Sequence, residues 1–340
     1  MNRSIHFSCP SCLVQLNRAE NRLICERCGK KYEISNGIGI FLPEDERPYA
    51  SFYDEWYHNP HIAYNTHRIG RLIKSSDFVN KHSVIFQHLL YTQYKRERFF
   101  KKVAKTIRSE FDNPLILDIG CGGGNPIIAQ TGEICGIDCS MVALRNSFAH
   151  NNYKLLANGS VLSMPFENNM FDCIISSDLI GHIKYEDKER FFKEMSRVLK
   201  KGGLCAHLLE TDSDNFLKKF AQKHSDLYKQ YFIEGIGGHF GLEMPEIVLN
   251  RFRSFGLYPV SIRKYYTYVW DIESFIALFD NEYRDKSFVL KSVLHFYTLL
   301  CRNFKVKLTA TAILGLISFL VDVAAPLSKA EGLMVICRKQ

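Results

Sequence analysis

Three things are missing from this chain of 340 residues, and each closes off a class of protein. No long block of lysine or arginine occurs, although the formal net charge is +8. The charge is therefore modest and dispersed, a weak pointer to anionic partners rather than the signature of a nucleic-acid-binding arm. The apolar run at 308–321 lacks the length to cross a bilayer. It holds fourteen uncharged residues between Lys307 and Asp322, against the roughly 20 that a spanning helix needs. The first residues lead from Met1 into a cysteine motif without the apolar region of a signal peptide, so a reducing cytoplasm is the expected compartment. The eleven cysteines do not argue otherwise. Their number is odd, and Cys121, Cys135, Cys173, Cys205 and Cys337 sit in or beside apolar strand-like runs, where buried free thiols are expected. With 46% hydrophobic and 24% charged residues, what remains is a soluble globular chain, one large domain with additions or two small ones.

The densest signal lies at 115–124. Leu115, Ile116 and Leu117 read as a buried strand running to Asp118, and glycines at 120, 122, 123 and 124 let the backbone turn sharply and approach a ligand closely. A nucleotide-like cofactor suits such a turn. The dinucleotide fingerprint G-x-G-x-x-G is not met, because its last position falls on Asn125 or Ile127. Asp118 has no place in that fingerprint, but it can accept a hydrogen bond from the ammonium of an amino-acid moiety.

Cys9, Cys12, Cys25 and Cys28 form two C-x-x-C knuckles, and the residues between them suit a short hairpin. Four thiolates on two tight turns can meet in a tetrahedron around Zn²⁺ and leave no open position, so the metal expected is structural. A pair of redox thiols is the other reading. Further on, residues 133–138 read as a second strand ending in Asp138, and Ser140 as the cap of the next helix. The glycine turn and Asp138 then lie at the carboxyl ends of adjacent strands, where ligands bind in open α/β sheets.

Residues 115–124 resemble motif I, D-x-G-x-G-x-G, of the class I S-adenosylmethionine (SAM) methyltransferases. Later segments are similar to the same family: 158–166, where Ser160 stands for the usual acid, 171–183 ending in His182 and Ile183, and 197–203, with Lys201 in place of proline. The resemblance implies that Asp118, Gly120, Cys121, Gly122, Gly124, Asp138, Cys139, Met141, Ser160, Val161 and Ser177 line the SAM site. Asp138 would take both ribose hydroxyls, Met141 would lie beside the adenine, and Ser160 would meet the adenine amino group without charge assistance. The ribbon at 6–43 resembles the small zinc-ribbon proteins that activate RNA and protein methyltransferases. It also resembles the ribbon of bacterial 23S rRNA guanine-N1 methyltransferases, in which the fourth ligand is usually histidine rather than the Cys28 found here.

The expected fold is α/β, a seven-stranded Rossmann-like methyltransferase sheet with an N-terminal zinc ribbon (1–44), a helical lead-in or lid (45–110) and a core (111–340) carrying a helical insertion at about 266–330. Residues 44–50 read as a linker, and a short helix is expected after Pro126. The aromatic stretch at 51–58 resembles a segment that folds over cofactor and substrate in small-molecule methyltransferases. His182 and His239 are the candidate catalytic bases. The expected activity is SAM-dependent transfer of a methyl group to an oxygen or nitrogen of a small-molecule or lipid-linked metabolite. Competing readings are an rRNA or tRNA methyltransferase that uses the ribbon for RNA contact, and a SAM-binding partner protein without catalysis. The run at 308–321 is core, lid or a peripheral membrane contact.

Overall fold

The computed structural model describes residues 5–58, 91–150, 153–215, 238–265 and 320–340, with isolated positions in the segments between. The first strands are short: β1 (Asn17–Ala19), β2 (Arg22–Ile24), β3 (Lys31–Ser35) and β4 (Ile38–Ile40) form an antiparallel meander. Helix α1 (Arg47–His58) follows, then α2 (Tyr91–Glu110), β5 (Leu115–Ile119), β6 (Glu133–Asp138), α3 (Met141–His150) and β7 (Tyr153–Asn158). The chain continues through β8 (Phe171–Ser177), α4 (Lys188–Val198), β9 (Leu199–Glu210), α5 (Pro245–Ser254), β10 (Leu257–Tyr265) and β11 (Gly332–Lys339).

All these strands join one sheet in the order β1-β2-β3-β4-β7-β6-β5-β8-β9-β11-β10. Among the described residues the sheet thus has eleven strands, seven (β5 to β11) in the main sheet and four added by the meander. The cause is β4, which pairs in parallel with β7, Ile38 opposite Leu156 and Ile40 opposite Asn158, and so welds the meander to the edge of the main sheet. From β4 to β9 the strands run parallel, and β11 returns antiparallel between β9 and β10. Strand β5 is flanked by β6 on one side and β8 on the other, so the chain order reverses there and opens a crevice at the strands' carboxyl ends.

Side-chain alternation decides which layer covers each face. Leu115, Leu117 and Ile119 point to one core and Ile116 to the other. The second core is closed by Phe99, Phe100, Val103, Ala104 and Ile107 of α2, spaced to form one stripe of the helix. The first is closed by α4 and α5, through Phe191, Phe192, Met195, Val248 and Phe252. The meander contributes Phe7, Leu16, Leu23 and Phe41 to the same core. Phe7 sits 4.9 Å from Phe41 and 6.1 Å from Phe166, ring centre to ring centre. With both faces covered, β5 is buried along its whole length, as an interior parallel strand should be.

Three local expectations are corrected. No helix follows the glycine turn: residues 126–130 form turns only, because β6 begins at Glu133 and leaves too few residues for a second helical turn. Residues 44–50 are not a linker but a 3₁₀ turn (Glu44–Glu46) running into α1. A helix expected over 190–199 and closed by 200–203 instead ends at Val198, and β9 begins at Leu199. The expected lead-in helices over 62–90, the loop at 235–237 and most of the insertion at 266–330, including most of 308–321, lie outside the described residues. Among the described residues no helix is long and apolar enough to cross a membrane.

Candidate functional site

Two constellations gather at the carboxyl ends of the parallel strands. The first is shaped by backbone. Gly120, Gly122 and Gly124 have φ of +63°, +49° and +90°, a region in which a side chain is strained, so these positions call for glycine. The Gly122 amide donates to Asp138 Oδ2 and the Ser140 amide to Oδ1, each at 2.8 Å. Asp138 is thereby fixed at the mouth of β6, and a carboxylate with about four lone-pair sites keeps acceptor capacity for a diol. Burial raises its pKa, and the two amides oppose that rise. Asp118 is buried and accepts from Tyr153 Oη at 2.8 Å. Burial pushes its carboxyl up to about 7, against the Tyr153 hydrogen bond and with a further push from the charge of Asp138.

Ser140 caps α3 as its sequence context predicts, its Oγ accepting from the Ala143 amide at 3.1 Å. It also donates to Asp54 of α1 at 2.6 Å, and Asp54 accepts from the Val142 amide at 3.2 Å. Helix α1 is thus latched onto the start of α3. One turn further, Tyr57 hangs over the glycine turn: a Cβ on Gly122 would stand 2.5 Å from its hydroxyl. Ser160 Oγ accepts from the Leu162 amide at 3.1 Å, and Glu46 hydrogen-bonds to Ser160. A carboxyl therefore stands beside position 160 after all, carried in from the turn before α1. Cys121, Cys139, Met141 and Val161 fall in the same region, Cys121 buried and the other three half-buried. Ser177 ends β8 and donates to Asp178 Oδ2 at 3.2 Å; Asp178, at φ +55°, is ion-paired to Arg96 of α2.

The second constellation is built by side chains from distant segments. His182 ends a 3₁₀ turn after β8, Glu210 is the last residue of β9, and His239 lies in the segment leading to α5. One ring nitrogen of each histidine and one oxygen of Glu210 lie within 4.8 Å of one another. His239 Nε2 is 3.9 Å from Glu210 Oε1, and the two imidazole centres are 4.8 Å apart. His182 Nδ1 donates to the Gly238 carbonyl at 2.9 Å and lies 3.1 Å from Tyr53 Oη. Tyr53 donates to Tyr49 (3.2 Å), which donates to the His182 carbonyl (2.9 Å). Both tyrosines lie on α1, four residues apart on the face that also carries Tyr57, so the helix reaches from this cluster to the glycine turn in about 12 Å. Burial lowers the His182 pKa to about 4, helped by the neighbouring His239, so the ring is neutral at pH 7. Burial alone would raise the Glu210 carboxyl, but the two imidazoles hold it at about 2. Buried Lys188 ties down the turn from below by donating to the Ile180 carbonyl.

In the ribbon, Cys9, Cys12, Cys25 and Cys28 bring four sulfurs within 4.8 Å of one another. Cys9 and Cys28 are 3.8 Å apart, and tetrahedral Zn–S bonds of about 2.3 Å place sulfurs about 3.8 Å apart. Tyr32 Oη lies 3.4 Å from Cys9 Sγ. Burial raises the Cys9 thiol, but hydrogen bonds from Tyr32 and the knuckle backbone outweigh it and bring it down to about 6. The donor set fits zinc.

The sequence-predicted residues are thus brought into three groups: four cysteines, a glycine turn with its two acids, and the two histidines. Glu210, Tyr153 and Glu46 are the members that sequence reasoning missed, whereas Tyr53, Asp54 and Tyr57 fall in the aromatic stretch at 51–58 already singled out. Only Glu210 carried a usable signal, an acid at the end of a buried strand.

Residues 117–207 match a family model described as a methyltransferase domain. The matched span holds the glycine turn, both acids and His182. An Encephalitozoon cuniculi protein provisionally named a methyltransferase is 32% identical over 109 residues, which cover 32% of this chain and 50% of that one. The demethylmenaquinone methyltransferase of Staphylococcus aureus is 36% identical over 123 residues, covering 33% of this chain and 49% of its own. The chain spans about half the length of the curated relatives it matches. Among solved structures, phosphoethanolamine N-methyltransferase 2 of Haemonchus contortus, in complex with S-adenosyl-L-methionine, aligns with a TM-score of 0.42 and 16% identity over 70% of this chain and 52% of that one.

Proposed function

We propose that this protein is a SAM-dependent methyltransferase acting on an oxygen or nitrogen of a small-molecule or lipid-linked metabolite. The observation that carries the reading is the coincidence of the methyltransferase-domain match with the site: residues 117–207 contain Asp118, the left-handed glycines and Asp138. In this reading Asp138 receives the ribose diol, Asp118 the ammonium of the methionine moiety, and Ser160 with Glu46 the adenine edge. SAM supplies an activated methyl group. The protein's task is then to align an acceptor with the S–CH₃ bond and exclude water, which Tyr57 and the rest of α1 suit by lying over the turn.

The acceptor side falls to His182, Glu210 and His239, framed by Tyr49, Phe52, Tyr53 and Phe240. Aromatic walls suit an apolar or ring-bearing acceptor, and the S. aureus relatives are named demethylmenaquinone methyltransferases. Calorimetry is expected to show SAM binding that weakens by about 100-fold or more in Asp138→Ala, the loss of a bidentate charged contact. Unchanged affinity would remove the cofactor assignment. Incubation with methyl-labelled SAM and separated cell fractions is expected to place label in small molecules or lipids; label in RNA overturns the substrate class. The ribbon cysteines hold structural zinc in this reading. Elemental analysis is expected to find it in the ribbon and to lose it with Cys25→Ser, and a fully folded metal-free protein would refute it.

A further inference from the structure

We propose that His182, Glu210 and His239 bind a divalent first-row transition cation, with a coordination position left open toward the methyl acceptor. The role at the acceptor rests on the methyl-transfer reading; the site itself does not. Three protein donors of this kind, two imidazoles and one carboxylate, are too few to enclose a cation and are the set that leaves room for an exchangeable ligand. Imidazole nitrogen selects transition ions over Mg²⁺ and Ca²⁺, which take oxygen ligands.

Several independent features favour a cation over a plain hydrogen-bonded triad. His239 Nε2 and Glu210 Oε1 stand 3.9 Å apart. Donors on one ion with bonds of about 2.1 Å stand roughly 3.0–3.4 Å apart, so a small side-chain rotation brings these atoms to coordination distance. Glu210 Oε2 is buried without a hydrogen-bond partner, an arrangement that costs about 1–3 kcal/mol unless a ligand satisfies it. Finally, His182 is held as metal-ligating histidines are: Nδ1–H faces the Gly238 carbonyl at 2.9 Å, which fixes the tautomer and leaves Nε2 with the lone pair.

The chemistry that follows is balanced without an oxidant. An acceptor hydroxyl bound at the open position becomes more acidic, as metal-bound water does, and releases its proton to solvent. An oxygen lone pair then forms the O–CH₃ bond as the S–CH₃ bond breaks. The electron pair of the broken bond stays on sulfur, which passes from sulfonium to neutral thioether. A cation-bound acceptor also explains two histidines at a place where one base would suffice.

The test uses the full chain with its ribbon loaded with zinc and titrates Mn²⁺ followed by electron paramagnetic resonance. Mn²⁺ is a poor competitor for the four thiolates, so it reports the second site alone. One Mn²⁺ per chain is expected, displaced by excess Zn²⁺, with nitrogen hyperfine coupling from imidazole. Glu210→Gln and His239→Ala are each expected to weaken binding by about tenfold or more, while SAM affinity measured by calorimetry shifts by less than about threefold, which shows that both variants fold. Absence of bound Mn²⁺, bound Mn²⁺ without nitrogen coupling in the unaltered chain, or binding unchanged in both variants would overturn the site. Metal binding without any methyl transfer would leave the site standing and remove the methyl-transfer reading instead.

Discussion

The glycine turn and the His182–Glu210–His239 cluster stand at the same edge of the parallel sheet, the turn at the ends of β5 and β6 and the cluster at those of β8 and β9, yet they are made in opposite ways. The turn is contiguous, and its shape is set by backbone: three positive φ angles and two amides aimed at Asp138. The cluster is assembled from three segments of the chain, and everything that shapes it is a side chain or a loop carbonyl. A backbone-built site tolerates change in its surroundings because its hydrogen bonds travel with the chain. A side-chain-built site depends on how far each distant loop is held in place.

That contrast can be pressed hardest at Gly241. A Cβ there would run into the carbonyl of Ile183, and the Gly241 amide already bonds the Gly181 carbonyl at 3.0 Å, so backbone on both sides must move. Gly241→Ala is expected to displace His239 and to abolish metal uptake by the cluster, with a stability loss of roughly 2–4 kcal/mol by denaturant titration. SAM affinity is expected to fall far less; equal damage to both sites would erase the distinction between them.

A gentler probe is proton linkage at Asp118. Its carboxyl titrates near 7 because burial outweighs the Tyr153 hydrogen bond, and only the ionised form attracts an ammonium. SAM affinity is therefore expected to rise about fivefold to tenfold between pH 6 and 8, with proton release on binding below pH 7. Asp118→Asn should flatten that slope in calorimetry across buffers. Stability of the free protein has the opposite sign. The folded state keeps a proton that the unfolded chain has lost between 3.8 and about 7, so this group's contribution is fully present below 3.8 and is lost as pH rises through 7.

Sequence reasoning read the first site and only part of the second, for the same physical reason. Asp118, Asp138 and Ser140 are placed by strand ends and a helix cap, features encoded within a few neighbouring residues. The partners that finish them are not so encoded. Tyr153 reaches Asp118 from the start of another strand, and Asp54 reaches Ser140 from a helix far upstream. Glu210 acquires its role from a histidine 3.9 Å away in space and well separated in the chain. The short helix expected after Pro126 failed because β6 claims the chain so soon. The joining of the meander to the main sheet went unread because a pairing between Ile38 and Leu156 leaves no local mark.

That same pairing sets an order of events during synthesis. A parallel edge strand is a template for unwanted pairing, and β4 covers the one that β7 would otherwise present. Yet β4 leaves the ribosome roughly 120 residues before its partner is complete, a wait on the order of ten seconds at ribosomal rates. Through that interval the meander stands without the sheet, and the four knuckle cysteines, whose sulfurs lie within 4.8 Å of one another, are gathered within it by local turns alone. The short meander thus becomes a matter of timing, one finished edge kept ready for a strand not yet made.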